Sequence, residues 1–326
     1  MNGNAKKWYI HQRNIMMALD PVHIGTGGYR LGRVDNTIVR EPGTNLPKIP
    51  GTSLAGAARS YASMRYGKPK VAGPHKGLEN KLKKKCPIIY TFGTATESGG
   101  GQAGKVSFGD ARILFFPVSS VAGPVWVSTS DVLEDAGFKV NDTVATNETV
   151  ISNLCMGNEK WNNENINLGW LMLKHVDGLS ITPPEVIKDK KEWKAIENRI
   201  VIISPKLFPQ VVNSNLEVRT SVAINPETGA AEDGALFTYE SLPRASWLWC
   251  DVIQDDYKKE FPETEKQFKD ENENSGDRLG ETWTHPMDVV NAGLKLIEYL
   301  GIGGMGTRGF GRMKTVCNWE VGPDES

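Results

Sequence analysis

The stretch that most restricts the fold is Gly301 to Met313, GIGGMGTRGFGRM, which places six glycines in thirteen residues directly after a helical pattern. Thr284 suits an N-cap and Pro286 a first turn, and Val289, Val290, Leu294, Leu296, Ile297 and Leu300 recur with a 3.6-residue period. Gly301 then falls where a left-handed C-cap is expected. The first six letters of the loop satisfy G-x-G-x-x-G, but a dinucleotide fold needs a strand before that loop, a helix after it and an acidic residue about 20 positions on. Here a helix precedes the loop, and the segment from Lys314 to Ser326 has room for one short strand through Val316 and Trp319. A P-loop lysine is missing too. The Rossmann reading is excluded, and the glycines need another reason.

Residues 7–19 read as a first strand stopped by Asp20-Pro21. A glycine-broken loop, HIGTGGYRLGR, leads through VDNTIVRE and a turn at EPGTNLP to a helix in KIPGTSLAGAARSYASMRY, with Thr52 or Ser53 as cap and Leu54, Ala58, Tyr61 and Arg65 along one side. Strand, loop and helix in this order open a βαβ or ferredoxin-like unit. PIIYTFG and KVSFGDARILFFPV, rich in β-branched and aromatic residues, read as paired strands, and Thr129 caps a short helix, SDVLEDAG. NLEVRTSVAI and GALFTYESLP are two strand-like arms around the turn-forming NPETGAAED, which is a projecting hairpin in its simplest form.

The 326 residues carry a formal net charge of −1, a total that hides a separation. Residues 1–86 hold 16 Lys/Arg against 4 Asp/Glu, and the rest hold 22 against 35. The basic first quarter matches a phosphate-binding face, with a solvated basic loop as the plain alternative. Its acidic counterpart is Asp251 to Glu281, read as a solvated insertion or a surface meeting another subunit. Cys86, Cys155, Cys250 and Cys317 are widely separated with no C-x-x-C pair, which argues against a zinc knuckle or a disulfide framework. No apolar run approaches a membrane span and the start has no signal-peptide core, so a cytoplasmic location is expected.

The strand ending before HIGTGG, the stretch VDNTIVREPGTNLPKIPGTSLAGAAR and the glycine loop after a helix together resemble the RAMP superfamily of CRISPR proteins. The likeness is greatest to the repeated backbone subunit of type III effectors. VSFGDARILFFPVSSVAGPVWVST and GALFTYESLP are similar to the type III-B (Cmr) form, which is favoured; VDNTIVREPGT is also close to the type III-A (Csm) equivalent.

That resemblance implies an α+β fold: an RRM-like, ferredoxin-type palm from about 1–130 plus 280–326, a β-hairpin thumb at about 215–243 and an acidic insertion at about 251–281, all within one domain. It implies that copies stack along a guide CRISPR RNA with other Cmr-type subunits, a large polymerase-like one and a small one among them. Their thumbs displace base pairs of the guide–target duplex at regular intervals, and complementary target RNA is cut there. The family's catalytic aspartate is Asp35 by motif, holding a divalent ion, Mg²⁺ by its chemistry, near the scissile phosphate. On residue type alone, Asp35-Asn36 equally closes an Asx turn.

His23 is a candidate for orienting phosphate or moving a proton, and Tyr239 and Glu240 for reaching a neighbouring copy's cutting point; each also has a plain structural role open to it. For RNA binding, Gly51, Thr52 and Ser53 offer backbone N–H groups at a helix start, with Arg40, Lys48 and Arg59 as nearby cations. The family's S-L-K-G lysine is Ala55 here. In the glycine loop, Gly303, Gly304, Gly306 and Gly311 would let RNA approach closely, with Arg308 and Arg312 supplying charge. A purely structural turn is the alternative. An endoribonuclease subunit, a scaffold that only binds RNA, and a RAMP enzyme trimming precursor guide RNA are the functions in play. The last fits poorly with a long thumb and a D-N loop.

Overall fold

The computed structural model describes residues 9–27, 34–73, 86–94, 101–141, 145–156, 159–262 and 283–322. The chain runs through β1 (Ile10–Ala18), α1 (Gly51–Arg65), α2 (Pro87–Phe92), β2 (Ala111–Ser120), β3 (Gly123–Ser128), β4 (Glu217–Ile224), β5 (Ala231–Ser241), β6 (Trp247–Gln254), α3 (Pro286–Leu300) and β7 (Met313–Glu320).

The central sheet has the order β2-β6-β1-β7, with all three pairings antiparallel. With α1 between β1 and β2 and α3 between β6 and β7, this is the split βαβ arrangement of a ferredoxin-type unit, assembled from both ends of the chain. Beyond β2 the sheet continues through β3, Ile200–Ile202, Thr149–Ser152, Leu171–Asp177 and Asn165–Leu168. The mixed α+β class thus agrees with the pattern in the sequence.

Both faces of the central sheet are covered, so even the polar residues Gln12, Arg13 and Asn14 of β1 are buried. On one face Met16, Leu248, Cys250 and Val252 meet Leu54 and Ala58 of α1 and Val290, Leu294 and Ile297 of α3. The two helices touch at backbone level: a Cβ on Gly293 would lie 2.1 Å from the Ala58 carbonyl oxygen, so only glycine permits the crossing. On the other face Ile15, Phe115, Trp247 and Trp249 are roofed by Leu133, Phe138, Ile187 and Trp193 from the segment between β3 and β4. That second face is where an RRM stacks bases, and here it is closed by the protein's own side chains.

Three elements differ from the sequence reading. PIIYTFG is the helix α2: Pro87 opens it, and Ile88 and Ile89 are buried among α1, α3 and Trp283, where tertiary packing overrides β propensity. Asp251 to Gln254, assigned to the acidic insertion, belong to β6, where Asp251 accepts from Arg13 Nε at 2.9 Å; residues 263–282 of that insertion lie outside the described residues. Gly301 has a positive φ of 75° but an extended ψ of −178°, so it closes α3 without the left-handed cap.

β4 and β5 form a separate two-stranded hairpin, paired from Glu217↔Ser241 to Ile224↔Ala231. Its outer part exposes Val222, Ile224 and Leu236, while its foot is buried on β5 from Tyr239 to Leu242, with Val218 opposite Glu240 exposed. The four cysteines are unpaired. Among the described residues no helix is long and apolar enough to cross a membrane.

Candidate active site and nucleic-acid interface

The foot of β5 is gripped on both sides, and strand alternation decides which side chain serves which side. Thr238 and Glu240 face the segment 34–40, whereas Phe237 and Tyr239 face the glycine loop. Segment 34–40 itself binds along β5: Asn36 N–H donates to Thr238 O at 3.0 Å and Glu240 N–H to Asn36 O at 3.1 Å.

Asp35 is held by this contact. Its Oδ2 accepts the Thr238 backbone N–H at 2.7 Å and the Thr238 hydroxyl at 2.9 Å, and the Asp35 N–H lies 3.0 Å from Thr238 Oγ1. The Thr238 backbone and side-chain donors keep the Asp35 carboxyl below the usual carboxylate range, so it is ionised at neutral pH. Both bonds from Thr238 land on Oδ2. Asp35 is partly exposed. No group of three or more His, Cys, Asp or Glu that could hold a metal occurs among the described residues.

Three other candidate catalytic residues are structural members of the same joint. Glu240, only 6% exposed, accepts two bonds from Arg40 (Nη1 at 2.6 Å, Nη2 at 2.9 Å) and one from Ile38 N–H at 2.8 Å. It is therefore turned inward, not presented to a neighbouring copy, and Arg40, expected on RNA, is its counter-ion. Tyr239, 4% exposed, packs against Phe310 and His23 with ring centroids 5.4 and 6.2 Å away. His23 is buried, its Nδ1–H donating to Glu240 O at 2.7 Å, and its own carbonyl accepts Gly304 N–H at 2.9 Å. Among the described residues no hydrogen bond joins His23 to Asp35; the histidine links the hairpin to the glycine loop.

Two of the loop's glycines are required by this chain's own packing. Gly303 (φ 86°) would put a Cβ 2.4 Å from His23 O, and Gly311 (φ 93°) would put one 2.4 Å from Ile302 O. Gly306 is different: a Cβ there meets nothing within 4 Å, so its surface is open. Arg312 is engaged by Asp20 through Nε at 2.5 Å and Nη2 at 3.1 Å. Arg308 lies over the Phe237 ring, 5.1 Å from its centroid, and is exposed.

The expected phosphate cradle at the start of α1 is also occupied from within. Gly51 N–H donates to Asp110 Oδ1 at 2.8 Å, Ser53 N–H to Pro50 O at 2.9 Å, and Lys48 pairs with Asp110 Oδ2 at 2.5 Å. The positive helix end already faces a carboxylate, and neither Thr52 nor Ser53 caps it. A Cβ on Gly51 would sit 2.2 Å from Phe108 O, so that glycine serves helix–strand packing. Arg59 is half-buried and donates to Val71 O at 3.2 Å. The separation of charge along the sequence is thus partly cancelled in space: Arg13, Lys48 and Arg40 from the basic quarter pair with Asp251, Asp110 and Glu240 from the acidic remainder. The run that ends in Lys83, Lys84 and Lys85 lies outside the described residues.

Sequence reasoning missed Thr238, Phe237, Phe310 and Asp110. Alternation within LFTYES was the available signal that Thr238 and Glu240 share a side. Nothing local named their partners.

Comparison with known proteins decides the family. The RAMP superfamily matches residues 16–314. The chain belongs to the RAMP superfamily. This RAMP chain is 32% identical over 258 residues to the CRISPR system Cmr endoribonuclease Cmr4 of Pyrococcus furiosus, covering 73% of this chain and 79% of that protein. It is 25% identical over 295 residues to the CRISPR system Cms endoribonuclease Csm3 of Methanothermobacter thermautotrophicus, covering 90% of this chain and 78% of that one. In fold it is similar to a chain of the apo type III-B Cmr-beta complex (TM-score 0.60, 13% identity, 97% of this chain and 99% of that one). It is also similar to oligomeric Cmr4 from Pyrococcus furiosus (TM-score 0.53, 22% identity, 96% and 99%). These solved structures support the RAMP fold; the relatives found by sequence bear on activity.

Proposed function

We propose that this protein is a backbone subunit of a type III-B CRISPR effector, binding guide RNA and cutting complementary target RNA at Asp35. The observation that carries this reading is the placement of Asp35. It is an ionised, partly exposed carboxylate, fixed by Thr238 where the hairpin leaves the palm, in a chain 32% identical to a protein named an endoribonuclease. Copies stacked along a guide would repeat that carboxylate at regular intervals. Other Cmr-type subunits, large and small, complete the assembly.

The residues present suit a hard cation. Asp35 is the residue that would hold a hard cation such as Mg²⁺, through a carboxylate oxygen. When bound, it supplies charge stabilisation at the scissile phosphate as a ribose hydroxyl attacks. Asp35 contributes a negative charge that needs no deprotonation at neutral pH, and Thr238 fixes its orientation. Around it, the Arg40–Glu240 pair and His23 hold the hairpin foot and the glycine loop in place.

The test is the reconstituted complex with Asp35→Asn in every copy. Assembly and target binding should be retained while cutting falls at least about 100-fold. Undiminished cutting would assign the protein to the RNA-binding scaffold class instead.

A further inference from the structure

Every polar group of Thr238 is spent on two residues of the segment that carries the catalytic carboxylate. Its N–H and hydroxyl donate to Asp35 Oδ2 at 2.7 and 2.9 Å, its Oγ1 accepts Asp35 N–H at 3.0 Å, and its carbonyl accepts Asn36 N–H at 3.0 Å. The hydroxyl acts in both directions, donating once and accepting once, which a threonine can do and a valine cannot. Its β-branched side chain is stiff about χ1, so the hydroxyl direction is set by the strand. Thr238 is on β5, which continues into the exposed half of the hairpin. A shift of the hairpin foot by about 1 Å carries the donors out of hydrogen-bond range of the carboxylate.

We infer that Thr238 is a positioning residue through which the seating of the hairpin sets the orientation of Asp35. The inference rests on Asp35 being the cutting carboxylate, as proposed above. The neighbouring clamp, Glu240 with Arg40 and Ile38 N–H, anchors the same segment but touches no atom of Asp35 in any described hydrogen bond. It supports the segment, whereas Thr238 sets the carboxylate itself.

The experiment compares complete guide-loaded complexes in which every copy carries Thr238→Val, Thr238→Ser or Asp35→Asn. Target affinity is measured without divalent ion, and single-turnover cutting is measured at saturating target across about pH 5 to 9. Thr238→Val should bind target as the parent does and cut about tenfold slower, the effect of losing a hydrogen bond to a charged group. Thr238→Ser, which keeps the hydroxyl, should cut within about threefold of the parent.

Parental cutting by Thr238→Val overturns the inference, as does equal slowing by valine and serine with weakened target affinity, the mark of a packing role. If valine prevents assembly, Thr238→Ala, which lacks the hydroxyl and needs less room, carries the same expectation. The two levels separate cleanly. Normal cutting by Asp35→Asn removes the catalytic reading and the inference with it; an inactive Asp35→Asn beside a fully active Thr238→Val removes the inference alone.

Discussion

Arg40 and Glu240 form a two-pronged ion pair at the foot of the hairpin, with Nη1 to Oε1 at 2.6 Å and Nη2 to Oε2 at 2.9 Å, although the sequence separates them by 200 residues. Each is further committed: Arg40 Nε donates to Asn213 Oδ1 at 2.9 Å, and Glu240 Oε1 accepts Ile38 N–H. The pair joins the loop after β1 to the hairpin and to the helix Phe208–Ser214.

Removing one partner strands the other. Glu240 is almost fully enclosed and Arg40 about one-fifth exposed, so Arg40→Ala or Glu240→Ala should cost about 2–4 kcal/mol, somewhat under the value for a fully buried pair. Glu240→Gln keeps an acceptor for Ile38 N–H and should cost less. Denaturant titration of the isolated chain measures the order, and an unchanged midpoint in Arg40→Ala would show the pair to be idle.

The glycine loop separates into positions with distinct roles. Gly303→Ala forces a Cβ into His23 O at a positive φ and should destabilise by about 2 kcal/mol or more. Gly306→Ala meets nothing within 4 Å and should change stability by no more than about 0.5 kcal/mol. A fall in guide affinity in Gly306→Ala, with an unchanged melting temperature, would mark that position as an approach point for RNA. Equal destabilisation of the two variants would contradict the division.

Charge contacts should follow pairing in space. Arg308 is exposed on the loop, whereas Arg312 is held by Asp20. Plotted as log affinity against log salt, guide binding by Arg308→Ala should lose about 0.7 of slope, one phosphate's worth on a single strand. Arg312→Ala should lose less than half of that. The reverse order would mean that the Asp20 pair opens when RNA binds.

Asp35 sets a pH expectation. Its folded pKa is depressed, with Thr238 N–H and hydroxyl the leading causes. Stabilisation by this tie is therefore complete above the ordinary carboxylate value of about 3.9 and is lost only as pH falls through the lower folded value. The cutting rate of the parent complex should show no acid limb from Asp35 above about pH 5. An acid limb centred near about pH 6 that vanished only on altering Asp35 would overturn this.

Much of the fold was legible locally. The period of Val290, Leu294 and Ile297 marks α3, the doublet of strand-like arms marks the hairpin, and the D-N loop before PGTSL marks Asp35. What misled were residues whose local character was correct but whose surroundings were not local. The β-branched run Ile88-Ile89 is helical because α1 and α3 enclose it. Gly51, Thr52 and Ser53 form a sound anion site by themselves, yet Asp110, 59 residues on, takes the first N–H. Glu240 and Tyr239, candidates for reaching a neighbouring copy or for a plain structural role, are turned inward once the segment 34–40 and Phe310 are laid against their two sides.

Taken alone, the order of residues is enough for the family, the split βαβ core and the hairpin, and its resemblance to the family nominates Asp35, because periodicity and motifs are properties of neighbours along the chain. Which cations stay available to RNA, and what orients Asp35, are settled only by folding. Arg13, Arg40 and Lys48 are neutralised by acids far downstream, and Asp35 is steered by Thr238, 203 residues away. Hydrogen bonds and ion pairs act within a few ångströms of space, and no local pattern encodes which distant segments will come that close.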